Sequence, residues 1–169
     1  MKKFHLGQTG FTLIEIVIAI AITGVAGAGA AMTIGQTFQQ NQRATASVQA
    51  ISEVENVAHW MNQDALMAQD QPVAGTGFLT LTWQAPDSSY NQIVKQAVYS
   101  FSGTNLLRTF SATGSAPIQA IVARNIDSDP TKTYWSFDDG VLRIQVTAAI
   151  GDSVETREFR IELRVNQPT

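Results

Sequence analysis

From Phe11 to Ile34 the chain carries a single charge, Glu15, in an otherwise apolar stretch that begins FTLIEIVIAIAITGVAGAGAAM. Built as a helix rising 1.5 Å per residue, this run is about 36 Å long, more than the roughly 30 Å of a bilayer's hydrocarbon core. A segment of this kind has to lie in lipid or against other apolar helices, and the remaining residues must fold beyond it. Lys2 and Lys3 stand just ahead of it, which predicts an N-terminus held on the cytoplasmic side and transfer of the rest across the membrane. Glu15 is the anomaly. A carboxylate inside hydrocarbon costs roughly 2.5 to 3.5 kcal/mol on insertion scales, so a partner or a mechanism is expected for it.

Two kinds of N-terminus fit a basic start followed by an apolar run. A conventional secretory signal would be cut near residues 28–30, at Ala26-Gly27-Ala28 or Ala28-Gly29-Ala30, releasing a secreted binding or enzymatic domain. Against it stand Glu15, for which a signal core has no use, and the polar Gly7-Gln8-Thr9-Gly10, which precedes the apolar run instead of following it. MKKFHLGQTG followed by FTLIEIVIAIAI resembles the leader and helix start of type IV prepilins and type II secretion pseudopilins, with Gly, Phe, Thr, Leu and Glu at the family's offsets.

That resemblance implies a membrane aspartyl peptidase, the prepilin peptidase, cutting between Gly10 and Phe11 and methylating Phe11 as the new first residue. It implies residues 1–10 as leader, 11–34 as membrane and filament-core helix, and 35–169 as the exported pilin-like domain. The implied partners are other pilin or pseudopilin subunits, an inner-membrane assembly platform and membrane lipid. The implied location is the inner membrane, single-pass, and then a periplasmic or cell-surface filament. Cleavage would leave an α-amine at Phe11, cationic at neutral pH, one helical turn from Glu15. In a bundle of such helices Glu15 could meet the Phe11 amine of the next subunit. A buried charge left unpaired costs roughly 3 to 5 kcal/mol relative to the paired state, so the pairing would act on register.

The other residues exclude more than they add. Lys and Arg total 11 against 14 Asp and Glu, and two of the lysines belong to the leader, which disfavours nucleic acid as a primary partner. There is no cysteine, hence no disulfide, thiol nucleophile or thiolate metal site. Of the two histidines only His59 lies beyond the leader, beside Trp60, with no partners at ligand spacing, and it reads as a surface or packing residue. No nucleophile elbow, phosphate-binding loop or dinucleotide fingerprint occurs after the leader. No catalytic set, cofactor or metal is expected. Asp127, Asp129, Asp138 and Asp139 read as turn formers, although some relatives in the resembled family bind calcium. Arg157, Arg160 and Arg164 are interleaved with Glu155, Glu158 and Glu162, which neutralise them. Trp83, Tyr99, Phe101, Tyr134, Trp135 and Phe137 read as core more than as a carbohydrate platform.

After a polar stretch at Gln39–Arg43, helix is expected to about Gln69, with Ala44, Val48, Ile51, Val54 or Glu55, Ala58, Met61, Ala65 and Ala68 on one face. Gly24, Gly27, Gly29 and Gly35 allow bending or local melting, since each costs about 1 kcal/mol of propensity relative to Ala. Met32 stands where many members of the resembled family have a kinking proline. Asp70-Gln71-Pro72 ends the helix. Strands follow at Phe78–Trp83, Ile93–Phe101, Leu106–Phe110, Tyr134–Phe137 and Val141–Ala149, with Asp138-Asp139-Gly140 as a hairpin turn. In the last strand Phe159, Ile161, Leu163 and Val165 alternate with Glu158, Arg160, Glu162 and Arg164, one face apolar and the other charged. The predicted fold class is α+β, a long N-terminal helix on a C-terminal antiparallel sheet. The stretches Ala97–Phe101, Asn105–Thr109, Val122–Ile126 and Gly140–Ile144 are similar in order to the strands of minor pseudopilins of the J class.

Overall fold

The structure, a computed structural model, describes residues 11–75 and 77–163. The chain divides into two compact units after Gln42. Helix α1 (Leu13–Met67) starts in the first and ends in the second.

In the first unit every described residue is exposed. The helix runs unbroken through Gly24, Gly27, Gly29 and Gly35, so the local melting expected there is not found. A Cβ at any of the four would meet open space, and no neighbour within this chain demands glycine. The hydroxyls of Thr23, Thr33 and Thr37 donate to the carbonyls four residues back, Ala19 at 2.7 Å, Gly29 at 3.0 Å and Thr33 at 2.9 Å. Each is thereby satisfied inside the helix, which is the condition for placing a hydroxyl in lipid.

The second unit packs the rest of α1 on two antiparallel sheets. The first has β1 (Leu79–Pro86), β2 (Gln92–Ser102), β3 (Asn105–Ala112) and β4 (Ile118–Ala123) in that order, and the second has β5 (Tyr134–Asp138), β6 (Val141–Ile150) and β7 (Ser153–Glu162). The class is α+β as expected, but the strands form two sheets instead of one. The transfer between them is local. Asn125 takes a left-handed φ of 57°, Ile126 bridges Ala148 of β6, and Asp127 N–H donates to Thr147 O at 2.8 Å.

The buried stripe of α1 is Ala50, Val54, Val57, Met61, Asp64 and Ala65, and Ala68 is buried one residue past its end. Of the face expected from sequence, Val54, Met61, Ala65 and Ala68 are buried, Ile51 and Ala58 half-buried, and Ala44, Val48 and the alternative Glu55 exposed. Carried back from Val54, a 3.6-residue period reaches Ala50 and half-buried Ala46, which leaves Ala44 and Val48 between about a third and a half of a turn away. Leu79, Leu81, Tyr99, Leu106, Ile126, Leu142, Ile144 and Val146 complete the core from the sheets. Among the aromatics, Trp83 and Tyr99 are buried, Phe101, Trp135 and Phe137 pack against the core, and Tyr134 is exposed, a departure from its expected core position.

The helix stops at Met67, two residues before the expected end, because Gln69 and Asp70 turn their N–H groups to Thr82 O. At Gly77 the chain runs against Tyr99 O, where any Cβ would collide, and Phe78 N–H donates to that same oxygen at 2.6 Å. Asp139 and Gly140 take φ of 48° and 79°, the paired left-handed geometry of a two-residue hairpin turn. In β7, Phe159 and Ile161 face inward and Glu158, Arg160 and Glu162 outward. Leu163 lies one residue past the strand and is half-buried; Arg164 and Val165 lie outside the described residues.

Candidate assembly site on the N-terminal helix

The start of α1 is a reciprocal cap. Thr12 N–H and Thr12 Oγ1 each donate to Glu15 Oε2 at 3.2 Å, and Glu15 N–H donates back to Thr12 Oγ1 at 3.4 Å. Thr12 is thus the N-cap and Glu15 the third helical residue, the Thr-x-x-Glu capping box that satisfies two of the amides a helix start leaves bare. The carboxylate also lies at the positive end of the helix dipole. The chemistry was readable from the spacing Thr12-Leu13-Ile14-Glu15, yet the expected partner of Glu15 was only a Phe11 amine, its own one turn away or a neighbour's. Thr12 is the residue it missed. Its N–H belongs to the Phe11–Thr12 peptide bond, so the cap outlasts any cut at Phe11.

Around this cap the surface is bare hydrocarbon. Phe11 and Leu13 are each 81% exposed, and Ile14, Ile20, Ile22 and Val25 are all more than half exposed. Phe11, Glu15, Ile16, Ala19, Ile20, Thr23 and Gly24 line a shallow groove along one side of the helix. Burying a single such Ile or Leu is worth about 1.5 to 3 kcal/mol, so a face of this length cannot remain in water. By length and composition α1 holds one stretch able to cross a membrane, with mean hydropathy 2.1. Gly10 lies outside the described residues.

Residues 6–31 match the prokaryotic N-terminal methylation motif. That motif, over 26 of the 169 residues, makes the N-terminal segment similar to the start of type IV pilins and pseudopilins. No curated protein and no solved structure matches the chain. The motif is of the kind that prepilin peptidase processes, and the helix that carries it is long and apolar enough to cross a membrane once.

The other residues singled out from sequence are dispersed over the second unit. His59 is exposed and stands edge-on to Trp60, with ring centres 6.1 Å apart. Asp127 Oδ2 accepts from Lys132 Nζ at 2.7 Å and Oδ1 from Asp129 N–H at 3.1 Å, contacts that hold its carboxyl below the usual carboxylate range. Asp129 in turn accepts from Thr131 N–H and Oγ1. Arg160 pairs with Glu158 at 2.9 Å, and Arg157 with Glu155 at 3.1 Å and with Glu55 on α1.

One cluster had no sequence signal at all. Asp64 on α1, 2% exposed, accepts from Tyr99 Oη at 2.5 Å and from Arg108 through two parallel bonds of 2.6 and 2.7 Å. The guanidinium also lies over Trp60 and Phe110, 5.0 and 5.2 Å from the ring centres. The fork geometry of arginine suits a carboxylate, and the aromatic faces take its remaining surface. This clamp joins α1 to β2 and β3 and leaves no buried side-chain polar atom unpaired among the described residues.

Proposed function

We propose that the chain is a minor pilin or pseudopilin, a structural subunit of a type IV pilus or a type II secretion-like filament. The observation that supports it best is the wholly uncovered apolar stretch, from Phe11 onward, that carries the methylation motif. In this reading prepilin peptidase cuts between Gly10 and Phe11, Phe11 is N-methylated, and residues 11–34 anchor the subunit in the inner membrane. The domain at 35–169 is exported, and an assembly platform draws the subunit into the filament by its helix. Glu15 then pairs with the Phe11 amine of a neighbouring subunit. The strand order that resembles the J class makes a minor pseudopilin of that class the favoured member.

The experiment is intact-mass measurement of the native mature protein. A chain beginning at N-methylated Phe11 is expected, and Gly10→Ala should leave uncut precursor in the membrane. A native N-terminus at Gly29 or Ala31 would instead identify a secreted domain behind a conventional signal, and would overturn the filament reading.

A further inference from the structure

Exposed strand edges pair with other chains unless something blunts them. The edge of β1 is covered by the chain just upstream, through Gln69 and Asp70 N–H to Thr82 O and a reciprocal bridge between Val73 and Thr80. β7 carries five charged residues and β5 is only five residues long. β4 has no covering segment and no charge; Pro117 ends its edge on one side and a register shift at Val122 on the other, which leaves Ile118–Ile121 open between them. It is terminal in its sheet, no charge occurs from Thr109 through Ala123, and Ile118 and Ile121 are 67% and 48% exposed.

We propose that the β4 edge pairs antiparallel with the β4 edge of a second copy of this chain, centred on Ala120. The hydrogen-bond alternation sets that register. Thr113 N–H donates to Val94 O, so the odd-numbered residues of β3 bond β2 and the even-numbered ones bond β4. Arg108 opposes Ala120 and Phe110 opposes Ile118, which turns the peptide groups of Gln119 and Ile121 to the open side. A two-fold axis at Ala120 sets each Gln119 opposite Ile121 of the second copy, and both can exchange N–H···O bonds. Ile118 then faces Val122 of the second copy. Centring on Gln119 would instead set Pro117, which has no N–H, against Ile121. No like charges meet across this seam. Two four-stranded sheets become one continuous sheet with matching faces. The proposal does not rest on the filament reading.

The chain has no cysteine, so single thiols report cleanly. Ala120→Cys in the full chain in membranes is the test. The two thiols would sit at a non-hydrogen-bonded antiparallel pair, about 4.5 Å between Cα atoms, within disulfide range. Mild oxidation should give a disulfide dimer well ahead of Ser88→Cys, an exposed loop thiol that reports random collision. Adding Gln119→Pro removes an outward N–H that β3 does not use, and should slow the cross-link by about tenfold through lost seam bonds. Protease resistance equal to the parent confirms that this variant is folded. The idea is overturned by cross-linking of Ala120→Cys no faster than Ser88→Cys, by a folded Gln119→Pro variant that cross-links unchanged, or by adducts only to other proteins.

Discussion

Glu15 and Asp64 are both carboxylates in apolar surroundings, and they are held in opposite ways. Glu15 is exposed and takes its two donors on one oxygen, both from Thr12, so that Oε1 remains to accept from a neighbour. Glu15→Gln should therefore leave insertion and cleavage intact, because the Gly10–Phe11 bond is untouched and removal of a charge eases burial. Entry into filaments should fail; normal recovery of processed Glu15→Gln in sheared filaments would refute the pairing. Asp64, in contrast, is closed off. Asp64→Asn strands the Arg108 guanidinium and should cost about 3 kcal/mol in denaturant unfolding of the soluble domain. Replacing the three together, Asp64→Leu with Arg108→Met and Tyr99→Phe, should recover most of that loss if the clamp sets register more than stability. Tyr99 adds a pH signature. Burial first, and the Asp64 charge second, push its phenol above the usual 10.0. The folded state keeps a proton that the unfolded chain gives up, so stability is whole below about pH 10 and falls as pH rises beyond it. Tyr99→Phe should lose about 1 kcal/mol at neutral pH and should remove this alkaline loss. An unaltered alkaline slope would place the titrating group elsewhere.

Elements whose burial follows a simple period were legible, and those whose burial depends on tertiary neighbours were not. β7 alternates in sequence because one face is covered, and Phe159 and Ile161 lie inward as that alternation requires. Its inward row continues into Arg157 and Glu155, which sequence could read only as a neutralised stripe, because the third partner, Glu55, lies 102 residues away on α1. β4 was missed as an element since Ile118, Ile121 and Val122 do not alternate as a strand should; their spacing of i, i+3 and i+4 is that of a helix. The clamp was invisible for a related reason: Asp64 reads as one more polar residue on a helix, and its partners are 35 and 44 residues away. The helix face was read correctly from Met61 onward and wrongly before Val54, where alanines give a weak pattern. The decisive position of β7 is Ile161, which is 5% exposed. Ile161→Asp should abolish cooperative unfolding, whereas Glu162→Lys on the outward face should change stability by less than about 0.5 kcal/mol. Equal effects would mean that the faces are reversed.

At the scale of the whole chain, burial is divided unequally. Between Phe11 and Gln42 nothing is buried, whereas from Arg43 onward one core joins helix and both sheets. A domain with that core needs no metal or disulfide to hold it, so residues 43–169 should fold without the membrane helix. The break at Gln42 is also where the helix changes chemistry, from hydrocarbon to the polar Gln39–Arg43 stretch. Removing residues 1–42 should thus yield a soluble protein with helix and strand signals by circular dichroism and a single cooperative melt. The full chain should require detergent or lipid, because its first helical turns present apolar side chains on every side. The clamp sharpens the comparison. Since Asp64, Tyr99 and Arg108 all belong to the second unit, Asp64→Asn should shift the melt of the truncated and full-length proteins by the same amount. A truncated protein that aggregates, or one in which the shift differs between the two lengths, would show that the domain depends on its membrane helix for more than anchorage.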